Sequence, residues 1–91
     1  MTETRENRLK RLRMRAWRRG TKEMDITLGP WADAHLDGLD DAHLDAFEAL
    51  LAEYDQDLMQ WFMGQAPTPE RHIAMVTLIG AWSQDRLAEG F

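Results

Sequence analysis

The sequence predicts an all-α fold in which five helices form one compact single-domain bundle. Apolar residues recur every three or four positions, and no segment shows the strict alternation of a half-buried strand. Glycine, proline and capping residues divide the chain into five stretches of helical length. Because 91 residues suffice for a single core, we expect one domain over residues 1–91, with loose ends at residues 1–5 and 88–91.

The first two predicted helices meet at Gly20. The first runs from about residue 4 to residue 18, and glycine is suited to end it because glycine tolerates positive φ. The second runs from about residue 21 to residue 36. It contains Gly29-Pro30, where we expect a kink or a fresh start because proline lacks the backbone donor.

The other three helices are predicted from their end signals. Asp40 is expected to cap the third and Asp55 the fourth, because a carboxylate there accepts bonds from free backbone amides. Gly64 is expected to end the fourth, and Thr68 with Pro69 to start the fifth. The side chains expected to be buried on these helices are Leu44, Phe47, Leu51, Tyr54, Leu58, Trp61, Phe62, Ile73, Met75, Val76, Leu78, Ile79 and Trp82.

The composition excludes several classes of protein. The chain contains no cysteine, which rules out disulfides, thiolate zinc sites and cysteine nucleophiles. Small secreted domains usually carry disulfides, and no apolar run reaches the ~20 residues of a transmembrane helix, so we expect a soluble cytoplasmic protein. The sequence has no glycine-rich phosphate loop and no nucleophile elbow, so we expect neither enzyme activity nor a stably bound cofactor.

The net charge of −5 conceals a strong asymmetry along the chain. Residues 1–22 hold nine basic and two acidic residues, whereas residues 23–91 hold two basic and fourteen acidic residues. Such a gradient concerns partners and association rates rather than fold. A stripe of Arg8, Arg11 and Arg15 on the first helix leaves open an alternative function, a basic-arm nucleic-acid-binding or antitoxin-like module.

Histidines and acidic residues in the middle of the chain raise the question of a metal site. At helical spacing, however, neither His35 nor His43 faces a carboxylate, so we expect surface histidines and no bound metal. The acidic residues between positions 37 and 48 are expected to form a solvated face that includes helix caps. These acidic residues are Asp37, Asp40, Asp41, Asp45 and Glu48.

Charged residues crowd the junction of the first two helices, residues 18–25, which we call the hinge. Two arginines, a glycine, a lysine and two acids occur within these eight positions. Glu23 falls in the first turn of the second helix, where the helix dipole favours a carboxylate. A purely structural interpretation would therefore have Gly20 end one helix and Glu23 stabilise the next.

The hinge resembles the signature of the FAD assembly factor family, the succinate dehydrogenase assembly factors of bacteria and mitochondria that promote flavinylation. The family's Arg-Gly-x-x-Glu motif stands here as Arg19-Gly20-Thr21-Lys22-Glu23, with Asp25 two places on. The later pattern Asp55-x-Asp57-Leu58-x-x-Trp61-x-x-Gly64 is also typical of the family. The resemblance covers about residues 9–80.

This resemblance implies an assembly factor that is not an enzyme. Family members bind the flavoprotein subunit of succinate dehydrogenase, and in some bacteria fumarate reductase, and promote attachment of FAD to a histidine of that subunit. A monomer is expected, with no nucleic-acid partner and no membrane insertion. The residues implied at the contact are Arg19 and Glu23 as the central pair, Gly20 for close backbone approach, and Arg18, Lys22 and Asp25 around them.

Overall fold

Helices account for nearly all of the regular structure of this chain. The computed structural model describes the backbone of residues 3–89 and the side chains of residues 3–84. The elements are α1 (Arg5–Trp17), α2 (Lys22–His35), a 3-10 helix (Leu36–Gly38), α3 (Asp41–Leu51), α4 (Asp55–Phe62) and α5 (Glu70–Glu89). No strand occurs within residues 3–89, and the predicted all-α fold with five helices is confirmed.

The ends predicted to be loose are described only in part. Residues 1, 2, 90 and 91 lie outside the described residues. Thr4 caps α1, because its Oγ1 accepts a hydrogen bond from the Asn7 backbone N–H at 3.1 Å. Residues 88 and 89 are the last two of α5.

The core lies where α5 packs against α2, α3 and α4, while α1 packs along α2. Among the described side chains, fifteen apolar residues are buried in the core: Leu12, Ala16, Met24, Leu28, Trp31, Ala32, Leu36, Leu44, Phe47, Leu50, Leu51, Leu58, Met75, Val76 and Ile79. Burial of each large side chain contributes about 1.5–3 kcal/mol to folding. Among the described helices, none combines the length and the apolar character that crossing a bilayer would require.

Six of the described side chains are less buried than the sequence pattern predicts. Tyr54 is 79% exposed, because α3 ends at Leu51 and Tyr54 lies in the connection that follows. Ile73 and Leu78 are about half exposed, since the neighbouring helices cover a narrower arc of α5 than its apolar pattern suggests. Trp61, Phe62 and Trp82 are partly buried and pack against the core. The predictions for Tyr54, Ile73 and Leu78 are therefore wrong.

The middle of α2 differs from the predicted interruption at Gly29-Pro30. The helix is unbroken from Lys22 to His35, so the predicted fresh start is wrong. Gly29 is buried, and a Cβ on it would lie 2.3 Å from a ring atom of Trp17. The glycine therefore lets the Trp17 indole pack directly on the backbone of α2, and this tertiary contact outweighs the poor helix propensity of the pair.

The start of α3 agrees with the prediction. Asp40 Oδ1 accepts the His43 backbone N–H at 2.8 Å, which caps the helix. This bond is the main reason that the pKa of Asp40 lies below its usual value. Asp40 Oδ1 also lies 2.6 Å from His43 Nδ1.

The starts of α4 and α5 differ from the prediction. Tyr54 occupies the position before α4 and makes no side-chain cap, so the cap predicted at Asp55 is wrong. The Asp55 carboxylate instead accepts a bond from Arg19. Helix α5 begins at Glu70, after the predicted start at Thr68 and Pro69.

Candidate partner-binding site

The backbone turn of the hinge depends on Gly20. Its φ is 104°, a conformation that L side chains rarely adopt, and glycine adopts it without strain. A Cβ built on Gly20 would meet no atom within 4 Å among the described residues. Thr21 then caps α2 by accepting the Met24 backbone N–H at 3.3 Å. The turn is thus fixed by local chemistry, and the surface over Gly20 is open.

Arg19 fastens the hinge to the connection between α3 and α4. Its Nε donates to Asp55 Oδ1 at 2.8 Å, and its two terminal nitrogens donate to the carbonyls of Leu51 at 2.5 Å and Glu53 at 2.6 Å. The arginine side chain is 11% exposed. Because the planar guanidinium donates to three acceptors at once, the position of the Arg19 side chain is fixed. We call these contacts the Arg19 clip.

Asp25 holds the same arginine from the other side. Its Oδ1 accepts the backbone N–H of Arg19 at 2.7 Å. Asp25 also lies in the first turn of α2, where the helix dipole favours a negative charge. Arg19 and Asp25 therefore use their hydrogen-bonding groups within the chain and hold the hinge in one conformation.

Glu23 has the opposite character, because it is exposed at the first turn of α2. None of the side chains of residues 3–84 donates a hydrogen bond to its carboxylate or pairs with it. It lies beside a shallow groove of about 360 Å³. The residues that line this groove are Thr21, Glu23, Asp55, Gln56, Met59, Gln60 and Gln65. This surface can accept and donate hydrogen bonds to a partner around a single apolar contact.

Most arginines of α1 are neutralised by carboxylates of the same chain. The ion pairs are Arg5 with Asp41, Arg8 with Asp45 and Glu48, Arg11 with Glu3 and Glu48, and Arg13 with Asp33 and Asp37. The bond from Arg11 lowers the pKa of Glu48, and its bonds to Glu3 and Glu48 raise the pKa of Arg11. The acidic run is mostly exposed and includes the cap at Asp40, as predicted, and its carboxylates other than Asp40 also form the counter-charge of α1.

Two of the three described basic residues without such a partner lie at the hinge, and the third lies in α1. Among the side chains described, Arg15, Arg18 and Lys22 have no ion-pair partner. The nucleic-acid alternative relies on a stripe in which Arg8 and Arg11 are free to bind phosphates. Because both of these arginines are paired internally, the structure gives that alternative little support.

Two histidines are placed differently. His43 is exposed, as predicted, but its Nδ1 lies 2.6 Å from Asp40 Oδ1, so the expectation that it faces no carboxylate is wrong. His35 is half-buried, stacked 5.0 Å from the Trp31 ring and edge-on to Trp82 at 5.3 Å, so its prediction as a surface residue is wrong. Within the described residues, no group of three or more acidic or histidine side chains is arranged to hold a metal ion.

A third histidine, His72, is buried at the start of α5. Its Nε2 has no hydrogen-bond partner among the described residues, and the nearest acidic oxygen, Glu53 Oε1, is 3.9 Å away. Burial, followed by the charge of Arg71, lowers the pKa of His72. His72 was not predicted, because a histidine inside an apolar helical pattern carries no signal of its own.

The structure brings all six predicted contact residues together and divides them into two sets. Arg19 and Asp25 are bonded internally, whereas Arg18, Gly20, Lys22 and Glu23 face solvent. Asp55 was predicted only as a helix cap, whereas it anchors the clip 36 residues from Arg19. The available signal was that Asp55 opens the second pattern typical of the family.

Comparison with known proteins supports the resemblance to the flavinylation factors. A profile of the family described as flavinator of succinate dehydrogenase matches residues 10–83. The chain belongs to this family. Mitochondrial succinate dehydrogenase assembly factor 2 of Mycosarcoma maydis is 40% identical over 70 residues, which are 77% of this chain and 29% of the fungal protein.

Two bacterial members of the family are also similar. The FAD assembly factor SdhE of Acetobacter pasteurianus is 38% identical over 63 residues, which are 69% of this chain and 58% of the relative. The FAD assembly factor SdhE of Pectobacterium atrosepticum is 35% identical over 72 residues, which are 78% of this chain and 82% of the relative. The matched region therefore spans less than a third of the fungal protein and most of the second bacterial one.

Proposed function

We propose that this chain is an assembly factor that binds the flavoprotein subunit of succinate dehydrogenase and promotes covalent attachment of FAD to it. The family match over residues 10–83 carries this proposal. The names of the relatives, succinate dehydrogenase assembly factor and FAD assembly factor, support it. The flavoprotein subunit is called the client below.

In this proposal the chain contributes recognition and the client carries out the chemistry. The exposed groups of the hinge are one carboxylate and two cations, which suit hydrogen bonds and ion pairs with another protein. The chain is therefore proposed to be neither an enzyme nor a stable carrier of FAD. We further propose that it is a cytoplasmic monomer and that the flavoprotein subunit of fumarate reductase is a second client.

The hinge surface is the proposed contact. Arg18, Lys22 and Glu23 are exposed and without ion-pair partners among the described side chains, and Gly20 between them carries no side chain to block an approaching backbone. The Arg19 clip holds this surface in one conformation before binding. Preorganisation of this kind lowers the entropic cost of association. Arg19 thus acts as a positioning residue, in contrast to the direct contact that the family resemblance implied.

The proposal is tested by producing each client in cells that lack their own assembly factor, with and without this chain. Covalent flavin is then measured by fluorescence of the client band in a denaturing gel. We expect strong fluorescence of the succinate dehydrogenase subunit only when the chain is present. The fumarate reductase subunit, tested in parallel, decides the client range. A client that is flavinylated equally with and without the folded chain would contradict the proposal.

A further inference from the structure

Trp17 is held rigidly although it lies at the surface. Its indole ring packs against the backbone of Gly29, and its Nε1 donates to Asp33 Oδ2 at 3.1 Å. The side chain nevertheless remains 39% exposed. Glycine is one of the least favourable residues inside a helix, yet any larger residue at position 29 would collide with the ring. A residue that disfavours helix formation therefore stands at position 29, because only glycine leaves room for the ring of Trp17.

The exposed part of Trp17 belongs to a mixed apolar and cationic surface on α1. Met14, one turn earlier, is 53% exposed. A shallow groove of about 390 Å³ runs over both side chains and is edged by Lys10, Arg13 and Arg18. Tryptophan, methionine and arginine are enriched where proteins bind one another, and a rigid aromatic ring costs little entropy to bury. We call this surface the α1 face.

The charge of the α1 face shows what kind of partner it fits. Arg18 has no ion-pair partner among the described residues, and Lys10 meets only Glu6, at 3.6 Å and in the open. Arg13 is balanced by Asp33 and Asp37, so the positive charge that persists beside Met14 and Trp17 is that of Arg18 and, in part, of Lys10. A complementary surface would present an apolar side chain flanked by carboxylates.

The α1 face is continuous with the hinge. Arg18 lines both the groove beside Trp17 and the groove that contains Arg19, Thr21 and Asp55. One partner can therefore cover both surfaces at once.

We propose that the α1 face is a second contact surface for the client, on which Met14 and Trp17 receive an apolar client side chain flanked by carboxylates. The inference rests on the proposed function and extends it by naming the chemistry of the client surface. It predicts that the apolar contact of Met14 and the positive charge around it both contribute to client binding. Position 14 lies outside the Arg-Gly-x-x-Glu motif.

The test compares two substitutions at one exposed position. Met14→Glu and Met14→Lys both remove the thioether, and all three residues have similar helix propensities, so the fold should survive. Binding of the full chain to the purified apo flavoprotein subunit of succinate dehydrogenase is measured by calorimetry. We expect Met14→Glu to weaken binding at least about tenfold and Met14→Lys about threefold, because only glutamate repels the client carboxylates. Lys10→Glu should also weaken binding by about threefold.

The control is Ile73→Glu, which places the same charge on a similarly exposed apolar position of α5 and should bind as the unchanged chain does. Unchanged binding by Met14→Glu and Lys10→Glu would overturn the α1 face while the proposed function stood. Equal losses of affinity for Met14→Glu and Met14→Lys would show that the client surface is not acidic. A similar loss of affinity for Ile73→Glu would show that the contact is not confined to the α1 face. A failure of the unchanged chain to bind the client would overturn the proposed function together with this inference.

Discussion

The turns at Gly20 and Gly64 have similar backbone conformations in different surroundings. Both glycines follow a helix at positive φ, 104° and 71°, and neither has a described atom within 4 Å of an added Cβ. At Gly64 the turn is closed by backbone bonds, among them Gln65 N–H to the Gln60 carbonyl at 2.8 Å. No charged residue occurs from position 61 to position 67. At Gly20 five charged residues surround the turn.

The difference shows which features of the hinge a helix end requires. A glycine and a few backbone bonds suffice at Gly64, so the charges around Gly20 exceed what the turn needs. Arg19 ties the hinge to the rest of the bundle, and Asp25 bonds to the Arg19 backbone within the hinge. The remaining charges, on Arg18, Lys22 and Glu23, make no ion pair among the described residues and are available to a partner.

The largest effect on stability is expected from removing the Arg19 clip. Arg19→Ala leaves two carbonyls and the Asp55 carboxylate without their donor in a mostly buried position, which should cost about 2–4 kcal/mol of unfolding free energy. Met63→Ala changes the matching residue before Gly64, which is exposed, and should cost no more than about 0.5 kcal/mol. Urea unfolding of both variants measures the two costs. Equal, small losses would show that the clip does not hold the hinge.

A smaller effect is expected from alanine at the two glycines. Gly20→Ala and Gly64→Ala should each cost about 1–2 kcal/mol, because both force a Cβ into positive φ and neither creates a clash. Only Gly20→Ala should also reduce flavinylation of the client, which is read from gel fluorescence. If the two variants reduced flavinylation equally, stability alone would explain the loss and the hinge would have no special role.

Features governed by neighbours in sequence could be predicted from the sequence. The cap at Asp40 and the turn at Gly20 each depend on residues within a few positions along the chain, so local chemistry determines them. The unbroken course of α2 could not be predicted, because it depends on the packing of Trp17 on Gly29, twelve positions away.

The site shows the same division between local and distant information. All six proposed contact residues were placed at the hinge from one motif and its resemblance to a family. Their separation into bonded and exposed sets could not be predicted, since two of the acceptors of Arg19 are backbone carbonyls, which the sequence does not distinguish. The ion pairs between α1 and the acidic run could not be predicted either, because their partners lie far apart in the sequence.

A still smaller effect, dependent on pH, is expected from His72, which adjoins Glu53 of the clip. Burial lowers the pKa of His72 below its ordinary value near 6.5. Between that value and the lower folded pKa, the unfolded chain binds more protons, so stability should fall as the pH falls through this window. His72→Leu should flatten the dependence of unfolding free energy on pH below about 6.5. If the unfolding free energy measured in urea changed with pH in the same way with and without the substitution, His72 would not contribute to the pH dependence.

The central claim, that the hinge carries charges for a client beyond those its turn requires, is tested most directly by Glu23→Ala beside Glu70→Ala. Each variant removes an exposed acid from the first turn of a helix, so each should cost only a few tenths of a kcal/mol to about 1 kcal/mol in stability. The decisive measurement is covalent flavin in the client after production with each variant. The account predicts normal fluorescence with Glu70→Ala and, because an interface hot spot costs about 2 kcal/mol or roughly thirtyfold in affinity, little fluorescence with Glu23→Ala. Full flavinylation by a folded Glu23→Ala variant would contradict it.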